Sequence, residues 1–401
     1  MDKKRILLII AFIAVAALIA FGLFYFFFRG APTPPAAPPV TAPPIGVLPP
    51  AAPAAPQAPV VTPPVAPGLP QATSVARGGL TETNVITSAA TQNATLAADG
   101  TSMQYWNKTD GKFYRITPDG LVKQMSGETF YSVQNVTWSP DKNRAVLEYP
   151  DGSKIIYNFN TQKQVTIPRF WQDFSFSPQS DKIVSKSIGV DPNNRWLVIS
   201  GADGTGTKAV EPLGENADKV TVNWSPNGQM IAFSHTGDYQ GFARQEVIPI
   251  GQNHENFKSF TVEGLGFTPL WSPEGDKLIY SVYNADSGYR PTLWATTAST
   301  DSFSARKPLG LNTWADKCAI KNDVAYCAVP TSLDEGAGFE RTIADETPDV
   351  FYKIDLTTGT KTLLAIPTAD ASATNVQVSA DGQYLFYTGK LDGVLYKIRL
   401  K

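Results

Sequence analysis

Two cysteines and two histidines are all that 401 residues offer of the side chains that bind transition metals most readily. His235 stands in F-S-H-T-G-D and His254 in G-Q-N-H-E-N. Neither has neighbours that would complete the three or four ligands of a zinc site, so a loop or surface role is expected for both. No C-x-x-C is present, which removes the dithiol redox centre. No G-x-S-x-G elbow is present either, and no Ser–His–Asp order stands out. Charge is scarce, at 17% of residues with a formal net charge of −2. Without a basic stripe the electrostatic footprint of a nucleic-acid binder is missing. Beyond the N-terminus, no window sustains a 3.6-residue apolar period over helical length. No cofactor, metal or catalytic residue is expected.

What is present begins with a membrane anchor. After a five-residue tail (1–5) comes an uninterrupted apolar run, residues 6–28. As a helix it would span roughly 34 Å, enough for a hydrocarbon core of about 30 Å. Its exit, F-G-L-F-Y-F-F-F-R-G, is bulky, whereas a cleaved signal peptide ends in small residues. Lys3, Lys4 and Arg5 outnumber Arg29, so the N-terminus is expected in the cytoplasm and the rest outside the membrane, periplasmic or at the cell surface. Residues 31–70 hold 16 prolines and no charge. Proline fixes φ and lacks the N–H that helices and central strands need. A Pro/Ala-rich disordered stalk over 29–75 follows, reading as a semi-rigid spacer.

The remainder, 83–401, is organised around a recurring piece. P-L-W-S-P-E-G-D-K-L-I-Y-S (269–281) reads as strand, tight turn, strand. Related pieces start at Val136, Phe174 and Val222. Aligned on the residue before S-P or its equivalent, the anchors are Leu96, Trp138, Phe176, Trp224, Trp271, Cys318 (a weak match) and Val378. Their separations are 42, 38, 48, 47, 47 and 60 residues. A period in the forties built of strands and turns is the signature of propeller blades. The expected fold is all-β, a single β-propeller of seven four-stranded blades, with six or eight as alternatives. The wide aromatic anchors are assigned to packing between blades, and Trp106, Trp171, Trp196 and Trp294 likewise to the interior. The last unit lacks a fourth strand, which residues 84–89 could supply, closing the ring and removing an exposed edge.

The W-S-P-x-G-x-x-h-x-Y/F units resemble the TolB-like, WD40-like (PD40-type) propeller repeats, from about Thr83 to Leu400. They are also similar to the N-terminal propellers of prolyl-oligopeptidase-type enzymes. TolB-like proteins carry a separate N-terminal α/β domain, and the peptidases a hydrolase domain; this chain shows an anchor and a stalk instead. The resemblance implies a propeller and says little about activity.

Two further features are candidate sites. In K-C-A-I-K-N-D-V-A-Y-C-A the midpoint of Cys318 and Cys327 falls between Asn322 and Asp323, a natural turn. A hairpin centred there places the cysteines opposite each other, within disulfide reach; two reduced buried thiols are the alternative. The longest insertion, 330–349, carries Asp334, Glu335, Glu340, Arg341, Asp345 and Glu346. It is a candidate partner-contact loop, able to meet a basic partner, or else a solvated acidic loop. The expectation is a membrane-anchored module, not an enzyme, that binds a protein or an envelope polymer and no nucleic acid. The alternatives are a propeller enzyme acting on glycan or peptide through its central funnel, and a structural envelope component.

Overall fold

The computed structural model describes residues 71–401 except 242, 256, 300 and 301, together with Val15, Leu18, Ile19 and Phe21. The expected tail (1–5), span (6–28) and most of the stalk (29–75) lie outside the described residues. Among the described residues no helix is long and apolar enough to cross a membrane. The chain divides into two compact units, Met1–Ala66 and Pro67–Lys401; the second is the propeller.

Seven sheets built of antiparallel hairpins follow one another along the chain. Blades 1 to 5 are four-stranded and cover 91–124, 135–167, 171–212, 220–262 and 265–308. Blade 6 covers 318–367 and blade 7 covers 373–399. Blade 7 gains its fourth strand from Asn84–Val85, which pairs antiparallel with Leu395–Arg399. This closes the ring as the missing strand required. Upstream of the expected start at 83, Leu80–Thr81 pairs in parallel with the outer strand of blade 6, Lys361–Pro367, as a fifth strand. Thr73 bridges to Thr81 as well, so described residues of the propeller unit reach into the stretch expected as stalk. One short N-terminal segment thus covers two sheet edges that would otherwise be open templates for pairing.

Each anchor packs backwards, onto the blade before it. Trp271 of blade 5 stacks on Phe233 of blade 4, ring centroids 5.9 Å apart. Trp138 of blade 2 meets Phe113 of blade 1 edge-on at 5.5 Å. Trp224 clusters with Val184, Leu197 and Ile199 of blade 3, and Phe176 with Val146 and Ile156 of blade 2. Val378 joins Ala328 and Phe351 of blade 6, and the half-buried Leu96 packs beside Phe386 and Leu395 of blade 7. Trp106 and Trp171 are buried, while Trp196 and Trp294 flank the same clusters.

Blade 6 departs from the expected register. The other anchors end the inner strand or closely follow it, but Cys318 begins its strand, Cys318–Lys321. The position equivalent to Trp271 is Lys321, because the S-P turn is replaced by two residues, Asn322 and Asp323, at φ 46° and 57°. Such left-handed pairs make the tight hairpin turns whose twist matches the strands. Cys318 and Cys327 are directly opposed and form a disulfide, Cα atoms 4.0 Å apart.

Candidate functional site

Successive connections in an up-and-down sheet alternate ends. All connections between the second and third strands, and all those between blades, therefore emerge at one end of the ring. All seven turns between first and second strands, and the six between third and fourth, emerge at the other. The first end is the loop face, and the 331–348 insertion belongs to it.

Large apolar side chains are exposed on that face all around the ring. Tyr131 and Phe170 lie in inter-blade connections, Val190 in blade 3 and Tyr239 in blade 4. Tyr289 follows in blade 5, Phe339 (60% exposed) and Ile343 in blade 6, and Leu391 (71%) in blade 7. In the turns of the opposite face, Leu121 is the comparable residue among the described residues. Exposed apolar residues scattered singly are ordinary; their concentration on one face is not. In the loops of this face acidic side chains outnumber basic ones.

The insertion is more than a solvated acidic loop. Leu333 packs with Trp314, Ala337 and Ala344 as a small core of its own. Its backbone is tied to the neighbouring blade 5 loop: Gly336 N–H donates to Gly288 O at 2.9 Å and Gly338 N–H to Tyr289 O at 2.7 Å. Arg290 Nε adds a bond to Leu333 O at 2.8 Å. These bonds bring Phe339 against Tyr283 and Tyr289, with ring centroids 4.8 and 4.9 Å apart. Glu340 accepts from Thr342 N–H and caps the 3-10 turn Arg341–Ala344. The Thr342 hydroxyl holds the Glu340 carboxyl below the usual range. Arg341 lies over the Trp314 ring at 4.9 Å and pairs with Asp316 at 2.7 Å. Asp345 stands 3.7 Å from Lys390 of blade 7. Asp334, Glu335 and Glu346 are exposed and make no ion pair among the described residues.

Where blades 6, 7 and 1 meet, the loop face opens into a basin of about 470 Å³. Lys108, Arg341 and Lys390 reach it from three different loops, with Asp316 as its carboxylate. Its floor includes Asn93 and Asn375, which sit in inner strands at φ 46° and 49° where the register slips. Such bulges re-aim a side chain and recur beside binding sites. Asp173 holds the same position in blade 3, three residues before its anchor, and pairs with the buried Lys186 at 2.5 Å. Asp173 and Lys321 are the ionisable residues of the described inner strands. The basin and the exposed ring escape sequence reasoning because they join loops far apart in the chain. The Asn–x–x–anchor spacing of blades 1 and 7 recurs in blade 2 as Asn135–Trp138, where no bulge turns the asparagine, so the spacing alone does not mark the basin.

The two histidines do not meet. His235 lies in the loop that follows Met230–Ser234, half-buried and edge-on to Phe267 at 5.5 Å, and burial lowers its pKa to about 4. His254 is exposed, 4.0 Å from Glu211. Among the described residues no three His, Cys, Asp or Glu side chains gather as a metal site.

Fold and site together define a closed seven-bladed β-propeller with one elaborated loop face. No protein-family model matches the chain, and no curated protein sequence does. Solved structures are similar in fold. One is an oligogalacturonate lyase in complex with manganese, 13% identical, covering 80% of this chain and 93% of that one with TM-score 0.55. The Cps50 (Swd1) β-propeller domain of Myceliophteria thermophila gives 10% identity, 80% and 100% coverage and TM-score 0.55. An oligogalacturonate lyase of Vibrio parahaemolyticus gives 10%, 80% and 93%, with TM-score 0.51. At these identities the likeness establishes the fold alone.

Proposed function

We propose that this protein is a single-pass membrane protein whose extracytoplasmic propeller docks a protein partner on its loop face. The observation that carries the reading is the concentration of exposed Tyr, Phe and Leu side chains on that face, set among carboxylates. Aromatic residues lead the energetics of protein interfaces, and the acidic surroundings favour a basic contact surface on the partner. The anchor and stalk read from 6–28 and 29–75 supply attachment and reach, and the disulfide accords with an oxidising compartment. The S-P units support kinship with TolB-type repeats at the level of the repeat. Replacing Tyr289 and Phe339 together by Ser should strip the partner from complexes isolated intact from producing cells. Leu121→Ser, on the opposite face, should not. Equal retention in both variants overturns the reading.

Turnover of a glycan or peptide at the funnel is the second reading. The two oligogalacturonate lyase structures that share the fold favour it over docking alone. Its test is incubation with oligogalacturonate, followed by the ultraviolet absorbance of the unsaturated end that a lyase leaves. Accumulation with time supports turnover, and a flat trace excludes this substrate.

A further inference from the structure

The loop face is acidic overall, yet the basin at the junction of blades 6, 7 and 1 is cationic. Three cations line it against one carboxylate. Arg341 is partly neutralised by Asp316 at 2.7 Å and Lys390 weakly by Asp345 at 3.7 Å. Lys108 has no ion pair among the described residues. Self-repelling charge of this kind, drawn from three separate loops, has a stabilising use when an anion bridges it.

A second observation is independent of charge. Thr388 lines the basin, is 3% exposed, and its Oγ1 has no hydrogen-bond partner. A buried hydroxyl left unpaired carries a desolvation penalty that a ligand or ordered water relieves. Asn375, turned by its bulge, lines the basin as well, and an amide side chain both donates and accepts. Beyond the lining residues, Leu391 follows Lys390 in the chain and Ile343 stands two residues after Arg341, both exposed.

We propose that the basin is a specific site for an acidic peptide segment, taking its carboxylates on Lys108, Arg341 and Lys390 while its backbone amides meet Asn375 and Thr388. Leu391 and Ile343 receive the apolar neighbours of those carboxylates. This feature distinguishes a peptide from inorganic phosphate or a carboxylated sugar, neither of which brings aliphatic side chains. The inference rests on the docking reading for the source of the peptide: an acidic protrusion on an otherwise basic partner surface would fix the register of the complex.

The test is fluorescence anisotropy of the full-length protein with a labelled hexapeptide of alternating leucine and glutamate. Its glutamine counterpart, inorganic phosphate and a carboxylated oligosaccharide serve as competitors. One-to-one binding is expected, at least tenfold weaker in Lys390→Glu and in Lys108→Glu, and about fivefold weaker in Thr388→Val, which keeps the shape but removes the hydroxyl. The glutamine peptide should compete at least tenfold less well than the acidic one. Equal competition by the glutamine peptide, unchanged affinity in the lysine variants, or displacement at lower concentration by phosphate or the oligosaccharide overturns the proposal. The Tyr289→Ser/Phe339→Ser protein should keep its peptide affinity within twofold. Partner loss in that variant without peptide loss separates the docking face from the basin, so either reading can fail without the other.

Discussion

Five buried serines hold the blades' first turns closed, and each does so in the same way. The Oγ of Ser272 accepts from Lys277 N–H at 3.0 Å and donates to Asp276 at 2.8 Å. Ser139, Ser177, Ser225 and Ser379 repeat the pattern with Asp141, Asp181, Asn227 and Asp381. Ser272→Ala leaves a backbone N–H without its partner, and urea denaturation should register a loss of about 1–3 kcal/mol. The S-P pair was legible in the sequence as a strand exit. The serine's task was not, because it depends on a bond closing five residues later, across the turn. His235 supplies a pH dependence. Its folded pKa, about 4, lies below its ordinary value of 6.5. Between those values the unfolded chain binds a proton that the folded one refuses, so stability falls as pH drops through the window. The loss approaches about 3 kcal/mol near pH 4. His235→Gln should flatten the difference between denaturation curves at pH 7 and pH 5, and an unchanged slope would contradict this origin.

At the scale of elements, the seam between blades 6 and 7 holds a buried ion pair. Lys317 Nζ lies 2.7 Å from Asp349 Oδ2, both side chains essentially without exposure. Burial drives the ammonium pKa down and the carboxyl pKa up, and each charge offsets the penalty of the other. Asp349→Asn should therefore destabilise the fold by about 3–5 kcal/mol, since it strands a buried cation. Lys317→Met combined with Asp349→Leu should cost less than either single change in thermal unfolding. A double variant worse than both would refute the pairing. Neither residue could be paired from sequence, for they lie on opposite sides of the insertion. The hairpin of Cys318 and Cys327 was legible because its turn chemistry and symmetric spacing are local. The anchor position of this blade falls three residues later than Cys318, at Lys321, since Asn322–Asp323 makes a shorter turn than S-P-x-G.

For the whole molecule, the seven-fold plan was readable because every unit repeats the same strand–turn–strand pattern, and the closing strand because the last unit was visibly short of one. The loop face is not readable: Tyr131, Tyr239, Phe339 and Leu391 share no motif and come to one face of the molecule only when the ring closes. That face is the centre of the functional proposal, and photo-cross-linking compares it with its opposite most directly. A photoreactive phenylalanine analogue is placed at position 339, 239 or 121 of the full-length protein in living cells. Docking on the loop face predicts one discrete adduct shared by positions 339 and 239, and none from 121. The same adduct from all three positions, or from 121 alone, would contradict it.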